Sequence, residues 1–217
     1  MSPKMGPDWF YATIKGWSEV HLRSFPWRET DDPYKVFLAE CLLKRTTSTA
    51  ALRVYGGLIE KYPDIFSLAS AHNIEEDLRP VGLYKQRGKL ILQAASYITV
   101  NLHGSFPRNA KELAGIPGIG EYAASAISSF AFGQPVPTVD SNVMRVLGRF
   151  LGNNDLKKTM ASSYLSEAIR GKESRRFNLG IIDLGSTVCR PLRPNCGGCP
   201  LAPSCQYLKN KSKLDMS

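Results

Sequence analysis

The sequence contains no long apolar run. None of its hydrophobic stretches approaches the roughly 20 consecutive residues that a membrane-spanning helix requires. The N-terminal segment MSPKMGPDWFYATIKGWSEV also lacks the apolar core and the small-residue cleavage site of a secretory signal peptide. At 217 residues, 43% of them hydrophobic, the chain is long enough to bury a sizeable core. We therefore expect a cytoplasmic, nucleoid-associated protein without membrane attachment.

Strand-like alternation and internal repeats are scarce. Helical periodicity dominates instead, with a first helix expected from Asp8 to about Leu22 and another after Asp32, which precedes a proline in the manner of an N-cap residue. Further helices are expected in the segments TAALRVYGGLIEKY, QRGKLILQAASYITVNL, EYAASAISSFAF and SNVMRVLGRFLG. The sequence therefore predicts an all-α fold with short polar connections.

Cysteine and histidine are few, and their spacing does not suit a disulfide scaffold. The five cysteines are an odd number, and the three histidines form no spaced motif. Cys41 lies alone in an apolar run, but the other four cysteines lie within the segment CRPLRPNCGGCPLAPSC. Cytosolic cysteines grouped so closely usually bind metal. Their spacing fits either Zn²⁺ or a [4Fe–4S] cluster with four ligands: Cys189, Cys196, Cys199 and Cys205.

Acidic residues are outnumbered by basic ones. Lysine and arginine total 28 against 19 aspartates and glutamates, which gives a formal net charge of +9. The sequence pI is about 9.4. This balance favours a polyanionic partner, nucleic acid before membrane, over a basic surface that serves only solubility.

The segment LAGIPGIGEYAASAI predicts two short helices joined by a glycine turn. Gly118 and Gly120 permit backbone angles and a close approach that a Cβ atom would obstruct. The amides of Gly118, Ile119 and Gly120 are expected to face outward at the start of the second helix, where the dipole favours an anion. A helical corner that merely needs glycine is the alternative. In a basic protein, the natural anion is a phosphate of the DNA backbone.

Two carboxylates are candidates for chemistry. Glu40, in the apolar setting VFLAECLL, is expected to be partly buried with a raised pKa. The alternative is an i,i+4 ion pair with Lys44 on a helix surface. Asp140 directly precedes the helical pattern SNVMRVLGRF, a position that suits an N-cap residue. The capping amides would help to keep Asp140 ionised.

The glycine hairpin, the aspartate and the cysteine loop occur in the order typical of the helix-hairpin-helix DNA glycosylase superfamily. The similarity extends from about Phe25 to Cys205 and includes FPWRETDDPYKVFLAECLLKRTT, PVGLYKQRGKLI and VPTVDSNVMRVLGRF. The cysteine spacing resembles the loop with which endonuclease III-like members bind a [4Fe–4S] cluster. This resemblance favours a [4Fe–4S] cofactor over zinc.

The resemblance also implies two helical lobes with the substrate base flipped into the cleft between them. The expected lobes are a six-helix barrel with the helix-hairpin-helix at residues 29–139, and a cluster domain formed by residues 1–28 and 140–217 with its [4Fe–4S] loop at 189–205.

The resemblance assigns catalytic roles to three residues. Asp140 matches the superfamily's essential aspartate, which stabilises positive charge on the sugar or activates the attacking water. Tyr122 occupies the position where lyase members carry a lysine, and a phenol cannot form the Schiff base that lysine forms. Glu40 matches a pocket residue that either protonates a departing purine or binds the edge of a pyrimidine. We therefore expect a monofunctional glycosylase that leaves an abasic site.

Two monofunctional branches share a tyrosine at this position. Archaeal-type G·T mismatch thymine glycosylases are favoured, because the segment from Lys44 to Thr47 lacks the glutamine pair usual in adenine glycosylases. The chain also ends soon after Cys205, without the additional domain typical of the adenine branch. The enzymatic alternative is removal of adenine opposite 8-oxoguanine or guanine. The alternative of another class is a DNA-binding protein without catalytic activity.

Several polar residues are expected to contact double-stranded DNA that contains a mismatched or damaged base. Arg45 is the candidate to fill the gap left by the flipped base, since a guanidinium can stack and donate hydrogen bonds. A simple phosphate contact is its alternative. Backbone contacts, or else a solvated helix face, are expected for residues at the start of the helix after GLY. The full set of expected DNA contacts is Gly118, Ile119, Gly120, Arg45, Lys44, Gln86, Arg87 and Lys89. We expect a monomer.

Overall fold

The protein's structure, a computed structural model, describes residues 6–214, with side chains described as far as residue 211. This part of the chain forms twelve α-helices and contains no strand, which confirms the all-α prediction. The helices are α1 (Pro7–His21), α2 (Pro33–Leu43), α3 (Ser48–Lys61), α4 (Ile65–Ala69), α5 (Ile74–Leu78), α6 (Tyr84–Leu102), α7 (Ala110–Ala114), α8 (Glu121–Phe132), α9 (Ser141–Leu151), α10 (Lys158–Ala168), α11 (Arg175–Thr187) and α12 (Gln206–Leu214). Across the described residues, no helix is both long and apolar enough to span a membrane.

The chain divides into two compact units. One comprises residues 24–134 and contains α2 to α8; the other combines the described residues up to 23 with those from 135 onwards and contains α1 and α9 to α12. The barrel and cluster roles that the resemblance assigned to residues 29–139 and to the rest of the chain remain predictions.

Short polar side chains cap several helices, at Asp32 as the sequence predicts and also at Asn109. The Asp32 side chain accepts a hydrogen bond from the Tyr34 amide, and Pro33 follows as the first helical residue. Asn109 caps α7 through the Lys111 amide in the same way. Such caps satisfy amides that a helix leaves without an internal partner. The caps therefore fix where α2 and α7 begin.

The core of the 24–134 unit surrounds α2. This helix packs against α3, α6 and α8, so its apolar residues are distributed around its whole circumference rather than along one stripe. Phe37, Leu38 and Leu42 have no exposed surface. Leu113 of α7 and Ile127 of α8 are equally buried. The second unit has a separate core in which α1 packs against α10 and α11.

That second core is rich in aromatic side chains. The Phe10 and Phe150 rings lie 4.9 Å apart between centroids, and those of Tyr11 and Phe177 lie 5.1 Å apart. Gly180 allows α1 to approach α11 closely, because a Cβ atom there would lie 2.9 Å from the Cβ of Ser18. Because α1 packs closely on α11, it holds that helix in place.

Candidate nucleic-acid interface and active site

The helical hairpin α7–α8 forms as predicted, and its turn needs one glycine for steric reasons. Gly118 has φ +93°, and a Cβ atom there would lie 2.3 Å from the carbonyl oxygen of Leu90. Gly120, the N-cap residue of α8, has an ordinary extended backbone and open space around its Cα atom. No side chain caps α8. The N-terminus of α8 is therefore an accessible helix end, which favours an anion.

The structure corrects the expectation for Ile119. Its amide donates a hydrogen bond to the carbonyl oxygen of Ile116 at 3.0 Å, so this amide closes the turn instead of facing outward. The Ile119 side chain is buried as well. The residue holds the hairpin together, and the prediction of an anion contact stays with Gly118 and Gly120 alone.

Several predicted DNA-contact residues gather around one cavity of about 210 Å³ in the 24–134 unit. Lys44 and Arg45 follow the C-terminus of α2, Gln86 lies in the first turn of α6, and Gly118 belongs to the hairpin. The side chains of Lys44, Arg45 and Gln86 are exposed. Lys89 is exposed on α6 but does not line this cavity. The fold thus brings residues from three chain segments to one basic surface.

Arg87 also lines this cavity, but its position differs from the predicted one. The residue is only 6% exposed, and its guanidinium donates hydrogen bonds to protein oxygens of two turns. Because its donors bind oxygens inside the protein, Arg87 does not fit the predicted role of a contact to the DNA backbone. Arg87 is a structural residue of the surface on which Lys44 and Arg45 lie.

Glu40 and Tyr122 both belong to the 24–134 unit. Glu40, on α2, is only 8% exposed, in agreement with the predicted burial. Tyr122 lies in the first turn of α8 and is partly exposed. Desolvation raises the pKa of the neighbouring Cys41 thiol to about 12, and the charge of Glu40 adds to this rise. The helices that carry Glu40 and Tyr122 pack directly against each other.

Asp140 is the N-cap residue of α9. Its Oδ1 accepts a hydrogen bond from the Val143 amide at 2.7 Å, and its Oδ2 accepts one from Asn142 Nδ2 at 2.9 Å. Both carboxylate oxygens are thus oriented, while the residue stays partly exposed. A fixed, partly exposed carboxylate can stabilise positive charge that develops beside it.

The Asp140 carboxylate is connected to the cysteine loop through two further side chains. Asn142 accepts a hydrogen bond from Arg145 Nη2 at 2.7 Å. The same guanidinium donates to the carbonyl oxygens of Cys189 and Gly185 at 2.8 and 2.7 Å. Gly185 permits this approach, because a Cβ atom there would lie 2.7 Å from Asn142 Cβ. Sequence reasoning missed this connection: Asn142 and Arg145 lie in the segment VPTVDSNVMRVLGRF, but nothing in that segment shows that Arg145 reaches carbonyls 40 and 44 residues further along the chain.

The extended segment that leads to Asp140 is held by a buried amide. Asn178 of α11 has no exposed surface. Its Nδ2 donates to the Val136 carbonyl at 2.8 Å, and its Oδ1 accepts from the Thr138 amide at 3.2 Å. This residue was also missed, because a lone asparagine in a helical pattern carries no sequence signal.

The four clustered cysteines line one small pocket in the second unit. Burial raises the pKa of Cys199 to about 11, and the charges of the other three thiolates add to the rise. Arg149 Nη1 lies 3.4 Å from Cys189 Sγ and also donates to the Arg190 carbonyl. No group of three His, Cys, Asp or Glu side chains in the described chain is arranged to hold a metal ion. One zinc ion needs all four sulfurs about 2.3 Å from a single point.

A family model, the HhH-GPD superfamily of base excision DNA repair proteins, matches residues 38–170. This match covers more than half of the chain and includes Glu40, Tyr122 and Asp140. The chain belongs to the HhH-GPD superfamily.

Curated HhH-GPD relatives are similar to the chain over most of its length. A thymine/uracil-DNA glycosylase of Methanothermobacter thermautotrophicus is 32% identical over 210 residues, which cover 94% of this chain and 95% of the relative. A thymine-DNA glycosylase of Aeropyrum pernix is 34% identical, covering 87% and 88%. The human adenine DNA glycosylase is 33% identical over 91% of this chain, but the match spans only 39% of the human protein.

Solved structures of a DNA glycosylase and of endonuclease III are also similar to this chain. A thermostable thymine-DNA glycosylase superposes with a TM-score of 0.88 at 30% identity, covering 94% of this chain and 97% of that one. A non-covalent endonuclease III–DNA complex gives a TM-score of 0.83 at 24% identity, covering 96% and 99%. The second comparison shows that the fold is the one endonuclease III uses.

Proposed function

We propose that this HhH-GPD protein is a monofunctional DNA glycosylase that removes thymine or uracil mispaired with guanine. The observation that carries the proposal is the match to thymine/uracil-DNA glycosylases over nearly the full length of both chains. The product is an abasic site in double-stranded DNA. The protein acts as a monomer in the cytoplasm, on nucleoid DNA.

In this mechanism, Asp140 supplies the negative charge. Cleavage of the N-glycosidic bond places positive charge on the sugar, and a carboxylate beside it lowers the free energy of that transition state. The hydrogen bonds from Asn142 and from the Val143 amide hold both oxygens of this carboxylate in place. Asp140 stabilises the oxocarbenium-like sugar or orients the water that attacks it.

Glu40 and Tyr122, both in the 24–134 unit, form the proposed binding site for the flipped base. The buried Glu40 carboxyl hydrogen-bonds the Watson–Crick edge of the pyrimidine. Tyr122 lies against the flipped nucleotide, and its phenol cannot form an imine with the sugar. The absence of that imine explains why hydrolysis ends at the abasic site, without cleavage of the strand.

DNA docking is assigned to the hairpin and to the exposed basic residues around the 210 Å³ cavity. The α8 N-terminus at Gly118 and Gly120 binds a backbone phosphate, which positions the duplex without selecting a sequence. Lys44, Gln86 and Lys89 add phosphate contacts. Arg45 fills the space that the flipped base leaves in the stack.

We propose that the four cysteines bind a [4Fe–4S] cluster, as endonuclease III-like relatives often do. A [4Fe–4S] cluster is held by four Cys thiolates, and the four cysteines line one pocket. The cluster would supply four cross-links for the loop. The nearby Arg149 compensates thiolate charge and fixes the carbonyl that follows Cys189. Absorption near roughly 400 nm with iron and sulfide by analysis is expected; a colourless protein that contains zinc would contradict the assignment.

A second candidate function is removal of adenine opposite 8-oxoguanine. The buried Glu40 carboxyl is suited to protonate a departing purine, and the human adenine glycosylase matches most of this chain. The two functions differ in the base removed, so one assay separates them.

The test uses labelled duplexes that carry G·T, G·U, or adenine opposite 8-oxoguanine, each analysed with and without alkali. Alkali-dependent breakage at thymine or uracil is the expected result. Breakage at adenine would favour the second candidate, while binding without breakage of any duplex would indicate a non-catalytic DNA-binding protein. Strand cleavage without alkali would contradict the monofunctional assignment. Tyr122→Lys, tested by borohydride trapping, is expected to gain a covalent DNA complex that the wild type does not form.

A further inference from the structure

Two exposed residues beside the basic cavity have a backbone conformation that L-amino acids rarely adopt. Arg45 has φ 55° and Leu83 has φ 53°; among the described residues, His103 is the one other non-glycine with positive φ. Both Arg45 and Leu83 line the cavity. Such conformations persist only when the surrounding structure holds them, and they concentrate at functional sites. Something in this region therefore imposes the left-handed turn on Arg45.

The Arg87 guanidinium lies between the two turns and binds both. Its Nη1 donates to the carbonyls of Cys41 and Leu42. Its Nη2 donates to the Lys44 carbonyl at 3.0 Å and to Thr46 Oγ1 at 2.9 Å. The residues immediately before and after Arg45 are thus held by one nitrogen.

The same side chain reaches the turn before Leu83. Arg87 Nε lies 3.3 Å from the Gly82 carbonyl oxygen, and Nη2 lies 3.4 Å from that of Val81. Thr46 Oγ1 donates to the Val81 carbonyl as well, at 3.1 Å, which closes the connection between the turns. The acceptors of these Arg87 hydrogen bonds are carbonyl and hydroxyl oxygens, so the guanidinium serves to fix backbone rather than to neutralise a carboxylate.

The chemistry of this position requires arginine. The last turn of α2 contains no basic residue, and the Arg87 cation lies against two of that helix's final carbonyls, where positive charge is favourable. A guanidinium directs five donors in a rigid plane, whereas a lysine ammonium has three donors at one point. Lysine could preserve the charge but not the bonds to both sides of Arg45.

We propose that Arg87 is a positioning residue that acts through Arg45, by holding the 44–46 turn in the conformation that directs Arg45 toward DNA. This inference rests on the proposed function, in which Arg45 fills the gap left by the flipped base. Arg87 itself touches no DNA. When the Arg87 guanidinium is removed, Arg45 is still present, but its backbone can relax into an ordinary conformation with negative φ.

The experiment is a double-mutant cycle on the full-length protein with a G·T duplex, measured as the single-turnover rate of base removal. Arg45→Ala and Arg87→Lys are each expected to slow base removal about tenfold, and the double variant should stay within about threefold of either. The fluorescence of 2-aminopurine beside the mismatch, which reports base flipping, should fall in all three. Arg170→Lys is the matched control: an exposed arginine of the other unit, whose effect should be negligible.

A merely structural role predicts a different result. Arg87→Lys would then lower activity in proportion to the folded fraction, and its effect would multiply with that of Arg45→Ala. Thermal unfolding of each variant separates the two cases. Should Arg87→Lys fail to fold, Thr46→Val removes one of the bonds between the turns and takes its place in the same cycle.

The outcomes also separate this inference from the proposed function. If the wild type removes the mismatched base and the two losses multiply, the positioning role of Arg87 is wrong and the proposed function stands. If the wild type removes the base from neither the G·T nor the G·U duplex, the proposed function is wrong and this inference with it. Non-additive losses in an active enzyme support both.

Discussion

At the scale of single residues, the environment of a side chain decides its role more than its type does. Arg45 and Arg87 are both arginines near the hairpin, yet one is exposed and the other is 6% exposed with its donors bound to protein carbonyls. The sequence places both in polar surroundings and cannot separate them. Asp140 is the opposite case: its position before an apolar helical pattern predicts a cap, and the structure confirms that cap.

Asp140→Asn tests catalysis without disturbing the fold. Asparagine is as good an N-cap residue as aspartate, so the cap of α9 is kept. The cost in stability is about 1 kcal/mol, for the lost hydrogen bond from Asn142 Nδ2, while the charge beside the sugar is removed. We expect base removal from a G·T duplex to slow at least about a hundredfold. DNA affinity should be retained, measured by fluorescence anisotropy. A variant with full activity would remove Asp140 from the mechanism.

Asn178→Ala tests the buried clamp on the segment before Asp140. The substitution leaves the Val136 carbonyl and the Thr138 amide without their partner, and each buried polar group that loses its bond costs about 1–3 kcal/mol. We expect the free energy of unfolding in urea to fall by about 2–4 kcal/mol. Asn101→Ala, at an exposed position, should change it by less than about 0.5 kcal/mol. Equal stability of the two variants would contradict the clamp.

At the scale of elements, the sequence motif predicts that the α7–α8 hairpin forms but not what each residue of its turn contacts. The motif spacing predicts the hairpin, its two helices and its buried leucine and isoleucines. It does not reveal that Gly118 is required by the carbonyl of Leu90, a residue of α6 far away in the sequence. Nor does it reveal that the Ile119 amide closes the turn. These details depend on which helix packs behind the hairpin.

The two glycines of the hairpin should therefore respond differently to substitution. Gly118→Ala combines a left-handed backbone with a 2.3 Å clash, and we expect a loss of about 2–4 kcal/mol in the free energy of unfolding. Gly120→Ala meets no protein atom within 4 Å and should cost about 1 kcal/mol or less as a poorer N-cap. Because the new methyl group stands where a phosphate would approach, Gly120→Ala should still weaken DNA binding. Unchanged affinity in Gly120→Ala would contradict the phosphate site.

At the scale of the whole molecule, the number of DNA phosphates that this basic chain, of net charge +9, contacts determines how DNA binding responds to salt. Affinity should fall linearly in a plot of log K against log salt concentration, with a slope of about −0.9 per phosphate contact. Lys89→Ala removes an exposed cation of α6 and should reduce that slope by about one. Lys61, which pairs with Asp77 at 2.8 Å, supplies the control: Lys61→Ala should leave the slope unchanged. Equal slopes for the wild type and Lys89→Ala would exclude Lys89 from the interface.

Local chemistry was sufficient to predict the helical class, the hairpin, the cap at Asp140 and the grouping of the four cysteines. Each of these depends on residues close together in the chain, through hydrogen bonds within a turn or apolar residues at helical spacing. Long-range packing determines the remainder: the burial of Arg87 between two turns, the grip of Asn178 on residues 136–138, and the path from Asp140 through Arg145 to the Cys189 carbonyl. These contacts join segments about 40 residues apart, and no periodicity or motif encodes them, because they form only once separate helices have packed against one another.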